Sequence, residues 1–464
     1  MSESAQPTGD AVPAPGEPIP DAVAPAPAPP AAPTRLEPVA APERLAAVDV
    51  LRGVALLGIL VMNIYAFAMP TMAYMNPLVW GGNTGADMWT WIVTHLLFDQ
   101  KMMTIFSMLF GAGLVLLDQR SAARGAKLGG VFYRRVLVLL GFGLLHAYLL
   151  WYGDILYNYA LCGMLLFLFR RVRPRWLIAV GAAAIVAAAL TYSATGGFFM
   201  LARKTAHEAA AARAAGRTPT EFQQAMEKTW PELQLEFEPT PAELQRQIQV
   251  YRGSWVGIFL DRLPLVLQIQ IFMTLMVLTW RLGGIMLIGM ALMKLEVFSA
   301  RRSPAFYHRL MLAGYGLGFP LVGLGMWDLF RTRFDFIHSF LVAGHFNGVG
   351  SLLVALGHVG LVMRLYQAGF WPALQARLAA VGRMALTNYL AQTIIATTIF
   401  YGYGFGLFGS VSRFPLMGFV VAIWAVQLWY SPLWLRHFRF GPAEWLWRWL
   451  TYGRRPPLRL EVDS

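Results

Sequence analysis

The sequence predicts an all-α protein: a polytopic integral membrane helical bundle of about ten transmembrane helices, with both termini cytoplasmic. Three observations predict it. Of 464 residues, 57% are hydrophobic and 14% are charged, against ~25% charged in average soluble chains. Apolar stretches that reach the ~20 residues needed to cross a bilayer core recur along the chain. Lysines and arginines gather in alternate loops, the mark of cytoplasmic loops. That bias explains the formal charge of +13, so no nucleic-acid partner is expected. The single cysteine, Cys162, excludes an intramolecular disulfide and any multi-cysteine metal site. No metal is expected.

Residues 1–43 are rich in Pro and Ala and contain no apolar run, so they read as a disordered tail. They lack the basic segment and apolar core of a cleaved signal peptide. The expected spans are roughly 47–69, 97–117, 132–151, 155–169, 176–199, 263–293, 309–328, 340–363, 383–402 and 414–435. They group into an N-terminal bundle over 44–199 and a C-terminal bundle over 263–435, five helices each. Between them, 200–262 reads as an extracytoplasmic helical insertion, and 436–464 as a cytoplasmic amphipathic tail of Trp and Arg. Loops 118–131, 170–175, 294–308 and 364–382 and the tail are basic, whereas 70–96 and 152–154 carry no Lys or Arg. This alternation holds only if 263–293 is a single long or kinked pass, and one pass is the reading adopted.

Polar residues at membrane depth need a partner or water. The first span, AVDVLRGVALLGILVMNIYAFAM, carries Asp49, Arg52 and Asn63. Arg52 and Asn63 are eleven residues apart. That is three turns plus ~20°, so they share one face, roughly 16 Å apart along the axis. Arg135 and His146 repeat the same spacing on the third span. Asp154 follows His146 by eight residues, in a tight outer turn. A carboxylate there can orient an imidazole or stabilise its charge, as behind a catalytic histidine; a structural His bonded to a neighbouring helix is the equal alternative. Asp99 and Lys101 lie at the outer end of the second span. They either snorkel to the interface or line a path. On the ninth span, Thr387, Asn388 and Gln392 suit interhelical hydrogen bonds or a cavity wall. Among the outer histidines His95, His338 and His345 there is no HxxxH or HExxH spacing.

The motifs VDVLRGVALLGILVMNI, FDQKMMTIFSMLFGAG, GLLHAYLLWYGDILYNYALCG, GRMALTNYLAQTII, YGFGLFG and FGPAEWLWRWLTYG together resemble the YeiB-type bacterial inner-membrane proteins, whose C-terminal half is a domain of unknown function. The resemblance covers roughly residues 44–459. It implies a multi-pass protein of the bacterial inner membrane. The first helix also resembles the transmembrane acyltransferases, namely the acyltransferase-3 proteins and heparan-alpha-glucosaminide N-acetyltransferase. These are thought to carry an acyl group from cytoplasmic acyl-CoA to an acceptor across the membrane. Arg52 matches the arginine of the acyltransferase-3 motif, while Asn63 stands where that motif has its functional histidine.

What the resemblance implies is a membrane acyltransferase-like protein with acyl-CoA as co-substrate. In that reading Arg52, Arg134 and Arg135 hold the CoA phosphates, His146 is the general base and Asp154 orients it. Asn63, Asp99, Lys101 and Asn388 line the substrate path. The partners are the lipid bilayer and a small-molecule, glycan or lipid acceptor. The competing readings are a transporter or lipid handler without covalent chemistry, and a non-catalytic scaffold. Intramembrane His, Asp and Asn residues mark substrate and proton pathways as well.

Overall fold

The structure is a computed structural model and describes residues 45–460. The expected tail 1–43 and the last four residues of segment 436–464 lie outside the described residues. Within them the chain is helical, with one isolated bridge between Phe438 and Arg459. Eight helical stretches among the described residues are long and apolar enough to cross a membrane. All ten expected spans correspond to helices, but two of these are short: Leu156–Phe169 and Ala385–Phe400. Apolar runs and loop charges place the spans but do not show where a helix stops.

Helix α1 (Ala46–Ala68) is the centre of the bundle. In its apolar window 78% of residues are buried inside the protein, against 17% for α6 (Pro174–Ala214). Leu51, Ala55, Leu56, Leu60 and Ile64 are fully covered by neighbouring helices. After α1 the chain forms α2 (Gly85–Leu97), α3 (Lys101–Ala123), α4 (Gly129–Leu145) and α5 (Leu156–Leu166), of which α3 packs along α1. Helix α4 runs on as a π-helical turn, His146–Leu150. Helix α6 continues past residue 199, where the apolar run ends, because the Ala-rich stretch that follows is itself strongly helix-forming. Two shorter helices follow, α7 (Glu221–Phe237) and α8 (Pro241–Tyr251).

Helices α9 (Trp255–Gln268) and α10 (Thr279–Lys294) are joined without interruption through a π-helical stretch, Ile269–Leu278. The expected single pass over 263–293 is therefore one continuous helix, and WRLGG lies inside α10 without breaking it. Helix α11 (Pro304–Arg331) packs along α13 (Gly344–Gln367), which is reached through the single turn α12 (Phe336–His338) and a π turn, Ser339–Ala343. The expected ninth span is interrupted at Met384, which separates α14 (Pro372–Arg383) from α15 (Ala385–Phe400). The chain ends with α16 (Arg413–His437) and α17 (Pro442–Tyr452).

Close helix contacts rest on small residues, as is usual where lipid removes the hydrophobic drive between helices. A Cβ on Gly53 would lie 2.1 Å from the Leu378 carbonyl oxygen, and one on Gly382 would lie 2.0 Å from the Asp49 carbonyl oxygen. This reciprocal fit brings α1 and α14 together beside Arg52. The basic segments converge on one end of the bundle. Lys294 donates to the carbonyls of Arg170 and Val172, at 2.7 and 2.8 Å. Gln367 donates to those of Ala300 and Arg302, and Trp447 to that of Arg135. At the opposite end the buried Arg413 donates to the carbonyls of Ala73 and Gly82, at 2.8 and 2.9 Å, and so ties loop 69–84 to α16.

Candidate functional site

The site is built where α4 gives way to its π turn. His146 is the first residue of that turn and is 1% exposed. A π turn leaves backbone carbonyls without their α-helical partners. Here Arg262 of α9 takes two of them, donating to Tyr148 and Leu150 at 2.6 Å each, while the Trp255 indole donates to Leu149 at 3.0 Å. The imidazole is thereby held on a fixed backbone. Gly143, one turn earlier, lets α5 come close: a Cβ there would lie 2.3 Å from the Tyr157 nitrogen.

That approach brings Asp154 to His146. One carboxylate oxygen, Oδ1, is 2.9 Å from His146 Nδ1, and Oδ2 accepts from the Tyr157 amide at 2.8 Å. A carboxylate only accepts. The Nδ1 position therefore carries a proton, and in the neutral ring Nε2 is the acceptor. Nε2 is 2.9 Å from the hydroxyl of Thr393 on α15. The rings of Tyr389 and Trp151 lie 5.1 and 6.2 Å from the imidazole.

Below this cluster a cavity of about 300 Å³ runs to the basic end of the bundle. Its inner wall includes Ile59, Phe106, Leu139, Ile155, Leu156, Tyr159 and Tyr389. Ile155 follows Asp154 in the chain, and Tyr389 is the ring that packs on His146, so the cavity ends against the site. Its mouth is lined by six arginines, Arg52, Arg120, Arg135, Arg383, Arg439 and Arg448, and two carboxylates, Asp49 and Glu444. Arg52 is paired with Asp49 at 2.8 Å. Helix α17 covers the opening. The Arg135 guanidinium stacks 3.8 Å above the Trp447 ring. Glu444 caps the start of α15, accepting from the amides of Leu386 and Thr387 at 2.6 and 3.1 Å and from the Thr387 hydroxyl at 2.5 Å. Burial pushes the Glu444 carboxyl up, against the pull of those donors.

Not all the residues singled out from the sequence meet here. Arg134 is not among the cavity's lining residues and donates to the Thr451 carbonyl at 3.4 Å. Asn63 is half-buried on α1 and is not among the cavity's lining residues. Asn388 is fully buried: it donates to Val381 O and Ser431 Oγ, and accepts from Tyr430 and Gln427. That makes it a fastener between α15 and α16 rather than a wall. Asp99 and Lys101 belong to a second buried cluster. Lys101 Nζ donates to the His95 carbonyl at 2.7 Å and to Asn347 Oδ1 at 2.9 Å. Asn347 Nδ2 donates to Asp99 at 2.7 Å, and His95 Nδ1 lies 3.3 Å from the same carboxylate. Arg281 joins from α10 by donating to Gln100 at 2.6 Å. None of these residues lines the cavity. Among the described residues no group of three or more His, Cys, Asp or Glu is arranged to hold a metal ion.

Sequence reasoning passed over Thr393, Tyr389, Arg262 and Glu444. The chain is 33% identical over 422 residues to the Escherichia coli (strain K12) protein YeiB, described as uncharacterized, a match covering 88% of this chain and 97% of that protein. The chain belongs to the YeiB family. The chain is also 31% identical over 437 residues to YxaH of Bacillus subtilis (strain 168), described as uncharacterized, covering 91% of this chain and 98% of that protein. An uncharacterized 39.9 kDa protein of Bacillus acidopullulyticus is 24% identical over 443 residues, 92% of this chain and 100% of its own. Residues 292–454 match the family described as protein of unknown function DUF418. In this YeiB-family chain that segment holds Tyr389, Thr393 and Glu444, whereas Arg52, Arg135, His146 and Asp154 precede it. No solved structure matches the chain.

Proposed function

We propose that this multi-pass membrane protein is an acyltransferase of the bacterial inner membrane. It would take an acyl group from cytoplasmic acyl-CoA and pass it to an acceptor on the periplasmic side. One observation carries the reading: a single cavity has an arginine-rich mouth and ends on the walls of a buried His–Asp pair. The positive-inside rule makes the basic end cytoplasmic. Guanidinium groups suit phosphates because they donate two parallel hydrogen bonds. Arg52 and Arg135 hold the CoA phosphates, and the acyl-bearing arm extends along the apolar wall. Arg135 and His146 are eleven residues apart on one face, roughly 16 Å, a distance that an extended pantetheine arm spans. His146 accepts the proton of the attacking group, a contribution of ~10²–10⁴-fold. Asp154 keeps the imidazole in the tautomer that can do so.

The test is binding of acetyl-CoA to the purified protein in detergent. Affinity that falls in Arg52→Ala and Arg135→Ala supports the reading. Acetyl-CoA that does not bind, or binds these variants as well as wild type, overturns it. A lipid or solute carrier is the second reading, favoured by the apolar wall and arginine-lined mouth of the same cavity, which also suit an anionic lipid. It predicts uptake or lipid exchange with no release of CoA.

A further inference from the structure

Both nitrogens of His146 are already engaged, one by Asp154 and the other by Thr393. A base whose only acceptor nitrogen faces a hydroxyl reaches any substrate through that hydroxyl. We propose that Thr393 is the nucleophile of a two-step transfer, which rests on the acyltransferase reading above. The three groups stand in the order carboxylate, imidazole, hydroxyl at 2.9 and 2.9 Å, the relation in which a base activates a weak nucleophile. A threonine inside a helix normally satisfies its hydroxyl on the carbonyl one turn back. Here that contact, to Tyr389 O, is 3.4 Å, and the shorter bond goes to the imidazole. Tyr389, one turn before Thr393 on α15, lines the cavity and packs on His146, so the hydroxyl lies behind that wall and a thioester reaches it when the wall yields.

In the first step Thr393 Oγ1 attacks the thioester carbonyl carbon and its proton passes to His146 Nε2. The C–S bond breaks, and the departing sulfur takes that proton and leaves as free CoA. The acyl group is then an oxygen ester on Thr393. In the second step the acceptor hydroxyl gives its proton to Nε2 and its oxygen attacks the ester carbonyl. The C–Oγ1 bond breaks and Thr393 recovers the proton. Nothing is oxidised or reduced.

The first step needs no acceptor, so it can be read with acetyl-CoA alone on the full chain in lipid nanodiscs. Intact mass and peptide mapping should find one acetyl group on Thr393, stable to neutral hydroxylamine as an oxygen ester is. Thr393→Ser should keep the label, on the new hydroxyl. Thr393→Ala and Thr393→Val should lose it, with CoA release down by at least ~10²-fold, while thermal unfolding and size-exclusion profiles match wild type. Thr393→Ala that releases CoA normally while His146→Ala does not overturns the relay but keeps the acyltransferase reading, with His146 directly activating water, which takes the acetyl group as acetate. Wild type that binds acetyl-CoA but takes no label also overturns the relay. Wild type that neither binds nor cleaves acetyl-CoA overturns both.

Discussion

Two buried polar clusters occupy the same bundle and differ in where their hydrogen bonds end. Around Asp99, Lys101 and Asn347 the bonds close on one another and lock α2, α3 and α13 together. Around His146 they run in a line from Asp154 to the Thr393 hydroxyl, beside the wall of a cavity. Both clusters bear the desolvation of ionisable groups, which is expensive away from water. A closed network offsets that cost with structure. A linear one, ending on a hydroxyl beside a residue that lines a cavity, leaves a group that can exchange protons with something that enters once that residue moves. Ionisable residues at depth are therefore not evidence of chemistry by themselves; the geometry at the end of the chain of bonds decides.

The comparison can be broken most forcefully in the closed cluster. Asp99→Ala leaves Lys101 buried without its carboxylate, at a cost of about 3–5 kcal/mol. Thermal unfolding in detergent should drop by many degrees, while the protein that remains folded keeps its acetyl-CoA affinity. Gly143→Ala acts on the linear cluster instead. It pushes α4 from the Tyr157 backbone and shifts His146 against Asp154, and a shift of ~1 Å costs about 10²-fold in rate. CoA release should fall far more than stability does.

Arg135→Lys is milder. A lysine keeps the charge but loses the paired donors and the flat stacking on Trp447. Acetyl-CoA affinity measured by calorimetry should weaken about tenfold, as expected for ~1.4 kcal/mol. The smallest effect is expected at Glu444. Its carboxyl is raised by burial in the docked α17, so between the ordinary and the raised value the native state binds more proton than the unfolded chain. Docking is then weakest at neutral pH. It strengthens as pH falls through the raised value towards the ordinary ~4.3 of a free glutamate. Glu444→Gln should flatten that dependence, read as protease resistance of residues 440–455 against pH.

Much of this was legible in the chain. The spacing from Arg135 to His146 and the tight turn to Asp154 are local, so helix arithmetic and loop length suffice to bring those groups near one another. The helical class and the gathering of basic loops at one end follow from composition and charge. What was not legible depends on distant segments meeting. Thr393 lies 247 residues from His146, and its neighbours Asn388 and Gln392 are the more polar groups. Those two turn out to bind α15 to α16. Arg262 reads as a charge in the extramembrane insertion and instead caps a π turn. The pause at Met384, which gives Glu444 a helix start to cap, has no Pro or Gly at its own position to announce it.

The most direct measurement is CoA release from acetyl-CoA by protein in lipid nanodiscs, compared for wild type, His146→Gln and Asp99→Asn per folded molecule. Release by wild type and Asp99→Asn but not by His146→Gln is the predicted result. Equal release by wild type and His146→Gln would contradict the proposal that the cavity serves the His146–Asp154 pair.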